Sequence, residues 1–229
     1  MKVVILASGG LDSTVTAALA KRDGYQLYLL TLEYGQRHHI EITRAERIAE
    51  WLKVHEHKII RLDLSVFGRS ALTDQIAVPK SRSLAEREAG IPPTYVPARN
   101  TIFLSLALAY AEVVKAEAIF IGANIRDYSG YPDCRPEFLK AFSELARLGT
   151  KRRVEGCPLE VIAPLLMMTK ADIIRQGQNL QVPFEWTHSC YDPDVDGLAC
   201  GHCDSCLIRL EGFREVGMTD PVAYEKGGL

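Results

Sequence analysis

A chain of 229 residues has the length of one soluble domain with some decoration and is long enough to bury a sizeable core. Hydrophobic residues at 47 % and charged residues at 24 % exclude a disordered or fibrous protein. Lys and Arg total 27 against 29 Asp and Glu, a net charge of -2, so no overall basic field draws the chain to nucleic acid. The longest apolar runs fall far short of the ~20 residues that cross a bilayer, which predicts no membrane association. Residues 1–7 are too brief an apolar run for a secretory signal, so a cytoplasmic protein is expected.

In chain order, residues 2–7 (KVVILA) read as a strand stopped by Ser8-Gly9-Gly10, and Asp12–Arg22 as a helix with Val15, Ala18 and Leu19 at helical spacing. Tyr25–Glu33 is a β-rich run, His38–Val54 an amphipathic helix, and Lys58–Leu64 another strand. Strand and helix alternating at this spacing predict parallel pairing through right-handed crossovers. Residues 65–98 break the rhythm with four prolines and weak periodicity, which predicts either disorder or an active-site cover. Arg99–Lys115 reads as a long buried helix, Ala118–Ala123 as a buried strand and Pro136–Leu148 as a helix opened by proline. The polar stretch Asn124–Arg135 falls where an open parallel sheet presents its ligand loops. Val161–Leu166 is apolar, Thr169–Asp172 reads as a cap for a helix through Gln176, and a last helix is expected near Leu207–Val216. The fold class expected is α/β: an open, mostly parallel sheet with helices on both faces. Residues 1–165 are expected to form a nucleotide-binding domain, and 166–229 a mainly helical, metal-binding region packed on it.

Two clusters carry chemistry. Ser8-Gly9-Gly10-Leu11-Asp12-Ser13 lies between a predicted strand and a predicted helix, where glycines let backbone N–H groups approach an anion and the helix start adds orphan donors. Ser8, Ser13 and Thr14 add hydroxyls. The stretch lacks the lysine of GxxxxGK[ST], and its adjacent glycines do not match GxGxxG. Asp12 beside bound phosphates would repel them unless a divalent cation or a specific hydrogen-bond role compensates.

Of six cysteines, four crowd together as Cys190-x9-Cys200-x2-Cys203-x2-Cys206. Four thiolates at this spacing suit one tetrahedral, structural Zn²⁺, with Zn–S near ~2.3 Å. An iron–sulfur cluster is the rival, because C-x2-C-x2-C also occurs in ferredoxins with a different fourth cysteine. His188 and His202 stand close by, and each reads more simply as a polar or packed neighbour.

SGGLDS after an N-terminal strand resembles the pyrophosphate loop of the N-type ATP pyrophosphatases, whose fold is adenine nucleotide α-hydrolase-like. Three further segments narrow the resemblance: Pro93-Thr94-Tyr95-Val96-Pro97-Ala98-Arg99-Asn100, Ile121-Gly122-Ala123-Asn124 and Asp127-Tyr128-Ser129-Gly130-Tyr131-Pro132-Asp133-Cys134-Arg135. With Leu32–His38, Pro164-Leu165 and Ser189-Cys190-Tyr191, they resemble the 7-cyano-7-deazaguanine synthase (QueC) family from Val3 to Phe213. The resemblance implies a ligase that uses ATP with Mg²⁺ to turn 7-carboxy-7-deazaguanine and ammonia into 7-cyano-7-deazaguanine, one structural zinc per chain, and a homodimer that does not bind nucleic acid directly. Another adenylating enzyme of the same superfamily, acting on a tRNA base or a protein carboxylate, is the alternative.

The resemblance also spreads ATP contacts over Ala7, Ser8, Gly9, Gly10, Leu11, Asp12, Ser13, Thr14, Val15, Thr16 and Ala17. Asp12, Ser13, Arg99 and Lys170 are the expected catalytic group, the two cations neutralising phosphate or substrate charge and Asn100 orienting them. A purine-like ring presents a guanidine-like N–H edge that a carboxylate accepts in paired hydrogen bonds. Asp133 is the first expectation for that edge and Asp127 the second, with Tyr95, Tyr128 and Tyr131 as walls or hydroxyl donors and Arg135 as a further contact. Cys134 reads as packing, Lys151-Arg152-Arg153 as a solvated basic turn, and Trp51 and Trp186 as packing residues.

Overall fold

The structure is a computed structural model in which residues 1–125 and 130–225 are described. Its elements are β1 (Lys2–Leu6), α1 (Leu11–Arg22), β2 (Gln26–Glu33), α2 (Ile40–Leu52), β3 (Glu56–Arg61), α3 (Leu84–Glu88), α4 (Arg99–Val114), β4 (Ala118–Ile121), α5 (Pro136–Gly149), α6 (Lys151–Val154), β5 (Glu160–Ile162), α7 (Lys170–Asn179) and α8 (Asp204–Glu215). The strands form one parallel sheet in the order β3-β2-β1-β4-β5.

Side chains alternate across the pleat, and β1 is apolar and buried from Val3 to Leu6 because both its faces are covered. Val3 and Ile5 join Val15 and Leu19 of α1, Ile48 and Leu52 of α2, Ile173 and Ile174 of α7 and Phe213 of α8 in one apolar cluster. Val4 and Leu6 face the opposite cluster, with Leu104 and Leu108 of α4 and Leu139 and Phe142 of α5. Residues after 166 thus share a core with the amino-terminal strand.

One strand is displaced from the sequence reading, and one more falls in a stretch read only as apolar. β3 pairs Tyr28 with Glu56 through Glu33 with Arg61, starting two and ending three residues earlier than expected, and as an edge strand it stays half exposed. The apolar Leu64 lies just past it, tucked under the loop with its N–H on Tyr34 O at 3.0 Å. β5 stops at Ile162 because Pro164 has no N–H for a ladder, and the chain then turns, Leu166 N–H reaching Ala163 O at 3.2 Å. The start of α7 forms both halves of a capping box between Thr169 and Asp172.

The segment 65–98 is built against the C-terminal region. Lys80 bridges to Cys203, Ser81 N–H donates to His202 O at 2.7 Å, Arg82 forks onto Asp204 and Arg87 pairs with Glu211 at 2.8 Å. Ala71 and Val78 pack on the cysteine group. Of the two expectations for this loop, disorder does not hold. It is a cover, lying mainly over the cysteine group and contributing Leu72 to the cleft described next.

Candidate active site

The strand order reverses between β1 and β4, and a cleft opens at their carboxyl ends, the place where an open α/β sheet leaves space between diverging loops. At its floor the chain leaves β1, turns at Gly9 and enters α1. Gly9 has φ +73°, and a Cβ there would lie 2.4 Å from Glu41 O, so only glycine fits. Gly10 caps α1 without a side chain, and Thr14 N–H is the first to find a helical acceptor, Gly10 O at 3.1 Å. The earlier N–H groups of the first turn are therefore available to an anion. Ser8 Oγ and Ser13 Oγ lie 3.0 Å apart beside them. A Cβ at Gly122 would stand 3.0 Å from Ser13 N, so this glycine lets β4 approach the cradle closely.

Of the residues expected to hold ATP, Ala7, Ser8, Gly10, Leu11, Asp12 and Ser13 line the cleft. Thr14, Val15, Thr16 and Ala17 do not, because the second turn of α1 faces inward: Val15 and Ala17 sit in the core, and Thr14 Oγ1 donates to Gly10 O at 2.8 Å. Gly9 makes the turn behind.

Asp12 finds its compensating charge within the chain. Lys170, the first residue of α7, reaches Asp12 Oδ1 at 2.6 Å, with side chains only 9 % and 14 % exposed. Gly212 of α8 makes room for the lysine stem, since a Cβ there would meet Lys170 Cγ at 2.5 Å.

Arg99 opens α4 and lies over Tyr34 and Phe103, 5.7 and 5.8 Å from their ring centres. Burial opposes its charge, but Tyr34, Tyr131, Asp133 and Tyr191 around it outweigh that effect and hold its pKa above the usual value. Tyr131 lines the cleft, its hydroxyl 2.7 Å from Thr94 Oγ1. Tyr95 packs against Tyr131 with its hydroxyl oxygen accepting from Ala98 N–H, behind the lining. Arg135 is exposed at the start of α5, away from the cleft. Asp127 and Tyr128 lie outside the described residues.

Asp133 departs from its expected place. Its carboxylate accepts from Asn100 N–H at 3.0 Å, and Asn100 Nδ2 donates back to Asp133 O at 3.1 Å, so Asp133 serves buried donors at the start of α4 and does not line the cleft. The cause is Ala98 in the left-handed region at φ 54°, which leaves α4 without a side-chain cap of its own. Asn100 is thereby held in that exchange. Cys134 is buried, and burial pushes its thiol up to about 12, which fits packing and not attack.

The cleft also gathers residues without a role in the sequence reading: Tyr34, Gln36 and His38 between β2 and α2, Glu41 in the first turn of α2, and His188, Ser189, Tyr191 and Arg209 from the C-terminal region. Their signal was position, polar groups just past the carboxyl end of a predicted strand, but Glu41 alone looks like any acid in a first helical turn. Arg209 is fully buried, forked onto Asp220 at 2.6 and 2.9 Å and donating to Thr187 Oγ1 at 2.7 Å, so it fixes the segment that carries His188 and Ser189.

Cys190, Cys200, Cys203 and Cys206 are all buried, and their sulfurs lie within 4.8 Å of one another. A tetrahedral ion with bonds near ~2.3 Å requires sulfurs about 3.8 Å apart, and Cys190 and Cys203 stand at 4.0 Å. Backbone N–H groups of Asp192 and Cys200 donate to Cys190 Sγ, and those of His202 and Cys203 to Cys200 Sγ, at 3.3–3.4 Å. Such donors favour thiolates, so the set fits a metal held by sulfur alone, and neither His188 nor His202 is part of it. Cys190 sits between the cleft residues Ser189 and Tyr191, which ties the metal group to the cleft wall.

An open parallel sheet with a serine–glycine turn at the head of its first helix, beside the strand reversal, defines the adenine nucleotide α-hydrolase-like class. The family model of the queuosine biosynthesis protein QueC matches residues 2–217, and the chain belongs to that family. A 7-cyano-7-deazaguanine synthase of Kineococcus radiotolerans is 58 % identical over 221 residues, covering 96 % of each chain. Another from Anaeromyxobacter sp. is 55 % identical over 224 residues, 97 % of this chain and 96 % of that one. Among solved structures, NMN synthetase from Francisella tularensis superposes with a TM-score of 0.49 at 20 % identity, over 95 % of this chain and 72 % of the other.

Proposed function

We propose that the chain is an ATP-dependent ligase converting 7-carboxy-7-deazaguanine and ammonia to 7-cyano-7-deazaguanine. The observation that carries this reading is the cleft itself, where the anion cradle of α1 and the Asp12–Lys170 pair face a hollow walled by Tyr34, Phe103 and Tyr131 and charged by Arg99. A carboxylate on an aromatic ring is a poor acyl donor, because ammonia would have to expel oxide. When its oxygen attacks the α-phosphorus of ATP, pyrophosphate leaves and a mixed anhydride with AMP forms. Ammonia then displaces AMP, giving the 7-amide and a proton. Adenylation of the amide oxygen by a second ATP, followed by loss of AMP and the remaining amide protons, leaves the nitrile. Both rounds expel the same groups, so one nucleotide site serves them.

In this reading Ser8, Gly9, Gly10, Ser13 and the first-turn N–H groups hold the departing pyrophosphate, and Lys170 and Arg99 offset its growing charge. Mg²⁺ would come with ATP and neutralise phosphate charge, and Asp12, in the first turn of α1, is a carboxylate of the cleft that would face it. The four cysteines hold one Zn²⁺, a closed site that supplies a structural cross-link. Free ammonia, a homodimer and a cytoplasmic setting complete the reading on family membership alone. The test is AMP formation that depends on 7-carboxy-7-deazaguanine, with two AMP per nitrile. AMP formation indifferent to the deazaguanine, or dependent instead on a tRNA or protein carboxylate, would reject it.

A further inference from the structure

Two carboxylates line the cleft among the described residues, Asp12 and Glu41. Asp12 is engaged by Lys170 at 2.6 Å, and Asp133, outside the lining, is engaged by the backbone of α4. The half-buried carboxylate of Glu41 holds no hydrogen bond or ion pair among the described residues, although α2 brings it into a space walled by Tyr34 and charged by Arg99. A second observation points at a ligand. Gln36 is 8 % exposed and lines the same cleft, and its Oε1 is held by Tyr34 N–H at 2.7 Å, which fixes the amide orientation. Its Nε2 is left buried with no partner among the described residues. A buried amide N–H without a partner is costly, and a carboxylate partly withdrawn from water is less well solvated, unless a ligand completes them.

Both groups line the one cleft, Gln36 Nε2 as a donor and the Glu41 carboxylate as an acceptor. The lactam–guanidine edge of a guanine-type ring offers the complement, a carbonyl acceptor followed by a ring N–H and an exocyclic amine. We infer that Glu41 is the specificity residue of the cleft, its carboxylate accepting the ring N–H and the exocyclic amine of the substrate while Gln36 Nε2 donates to the ring carbonyl. Burial pushes the Glu41 carboxyl up to about 7, with Arg99 working against that rise, as expected of an acceptor whose donors arrive with the ligand. The inference rests on the deazaguanine reading above and deepens it.

The test compares 7-carboxy-7-deazaguanine with its analogue lacking the exocyclic amine, following AMP formation at saturating ATP and ammonia. The wild-type chain should prefer the amine-bearing substrate about ten- to a hundred-fold in kcat/KM, since an unpaired buried acceptor rejects the analogue. Glu41→Gln should lower kcat/KM for the full substrate by a similar factor and bring the two substrates within about threefold, leaving the KM values for ATP and ammonia in place. Glu41→Asp, which keeps the charge, should retain part of the preference. A wild-type chain indifferent to the amine, or a folded Glu41→Gln chain that keeps the preference, overturns the inference. A change confined to the KM for ammonia also overturns it and makes Glu41 an ammonium acceptor. If the wild-type chain makes no AMP with 7-carboxy-7-deazaguanine, the functional reading fails first and this inference falls with it.

Discussion

Asp12 and Lys170 form a pair whose two halves are not equivalent, and removing each should show it. Both side chains are nearly buried, at 14 % and 9 % exposed, and meet at 2.6 Å. Asp12 lies in the first turn of α1, where the positive helix end favours it, whereas Lys170 opens α7, where the same end of another helix repels it. Breaking a fully buried pair costs about 3–5 kcal/mol, and the residual solvent contact here lowers that. Asp12→Asn takes the carboxylate away from a nearly buried ammonium that sits at a positive helix end, and should destabilise by about 2–3 kcal/mol. Lys170→Met leaves a carboxylate that α1 partly compensates and keeps the stem packed beside Gly212, so about 1 kcal/mol is expected. At roughly 2–4 °C per kcal/mol for a chain this size, the two variants should differ by several degrees in Tm. Urea denaturation of the nucleotide-free protein, with the double variant closing the cycle, gives the coupling directly. The reasoning is refuted if Lys170→Met is as destabilising as Asp12→Asn. Both should lose most ATP turnover, so the asymmetry belongs to stability alone.

Glu41 gives a pH signature. Its folded pKa of about 7 lies above the ordinary 4.5, so its contribution to stability is complete below pH 4.5 and is lost as pH rises towards 7. Glu41→Gln escapes that loss, and its stability advantage over wild type should widen by about 2 kcal/mol between about pH 5.5 and about pH 8.5 in urea titrations; a constant gap would show the carboxylate to be well solvated. Asp133→Asn removes a charged acceptor from the start of α4, so about 1 kcal/mol of stability should go while kcat/KM for the deazaguanine stays within about threefold; a larger kinetic loss at full stability would return Asp133 to substrate recognition. Metal analysis should find one zinc per chain. Cys203→Ser should lower metal content and Tm together and open the 71–82 loop to proteolysis at Lys80 and Arg82, while iron with sulfide in the active protein would reject the zinc assignment.

What the sequence determined by itself is whatever depends on near neighbours. The cradle needs a strand end, a left-handed glycine and a helix start within a few residues, and the cysteine group needs its short spacings, so both were legible in SGGLDS and Cys200–Cys206. The apolar runs of β1, β2 and β4 were legible because strands buried on both faces show no polar alternation. Tertiary structure decided the rest. Lys170 stands 158 positions from Asp12, and no local pattern distinguishes a lysine that pairs in a cleft from one that opens an ordinary helix. Asp133 and Glu41 are the same chemical group, and which one is left open to a ligand depends on which first meets an orphan backbone donor. The left-handed Ala98 supplied one for Asp133, and α2 carried Glu41 past the end of β2 into the cleft, where no described residue engages its carboxylate. Likewise Pro164 shortened β5 and the cysteine group fixed the 65–98 loop, because a chain segment without strong local preference takes its conformation from the surface it packs on.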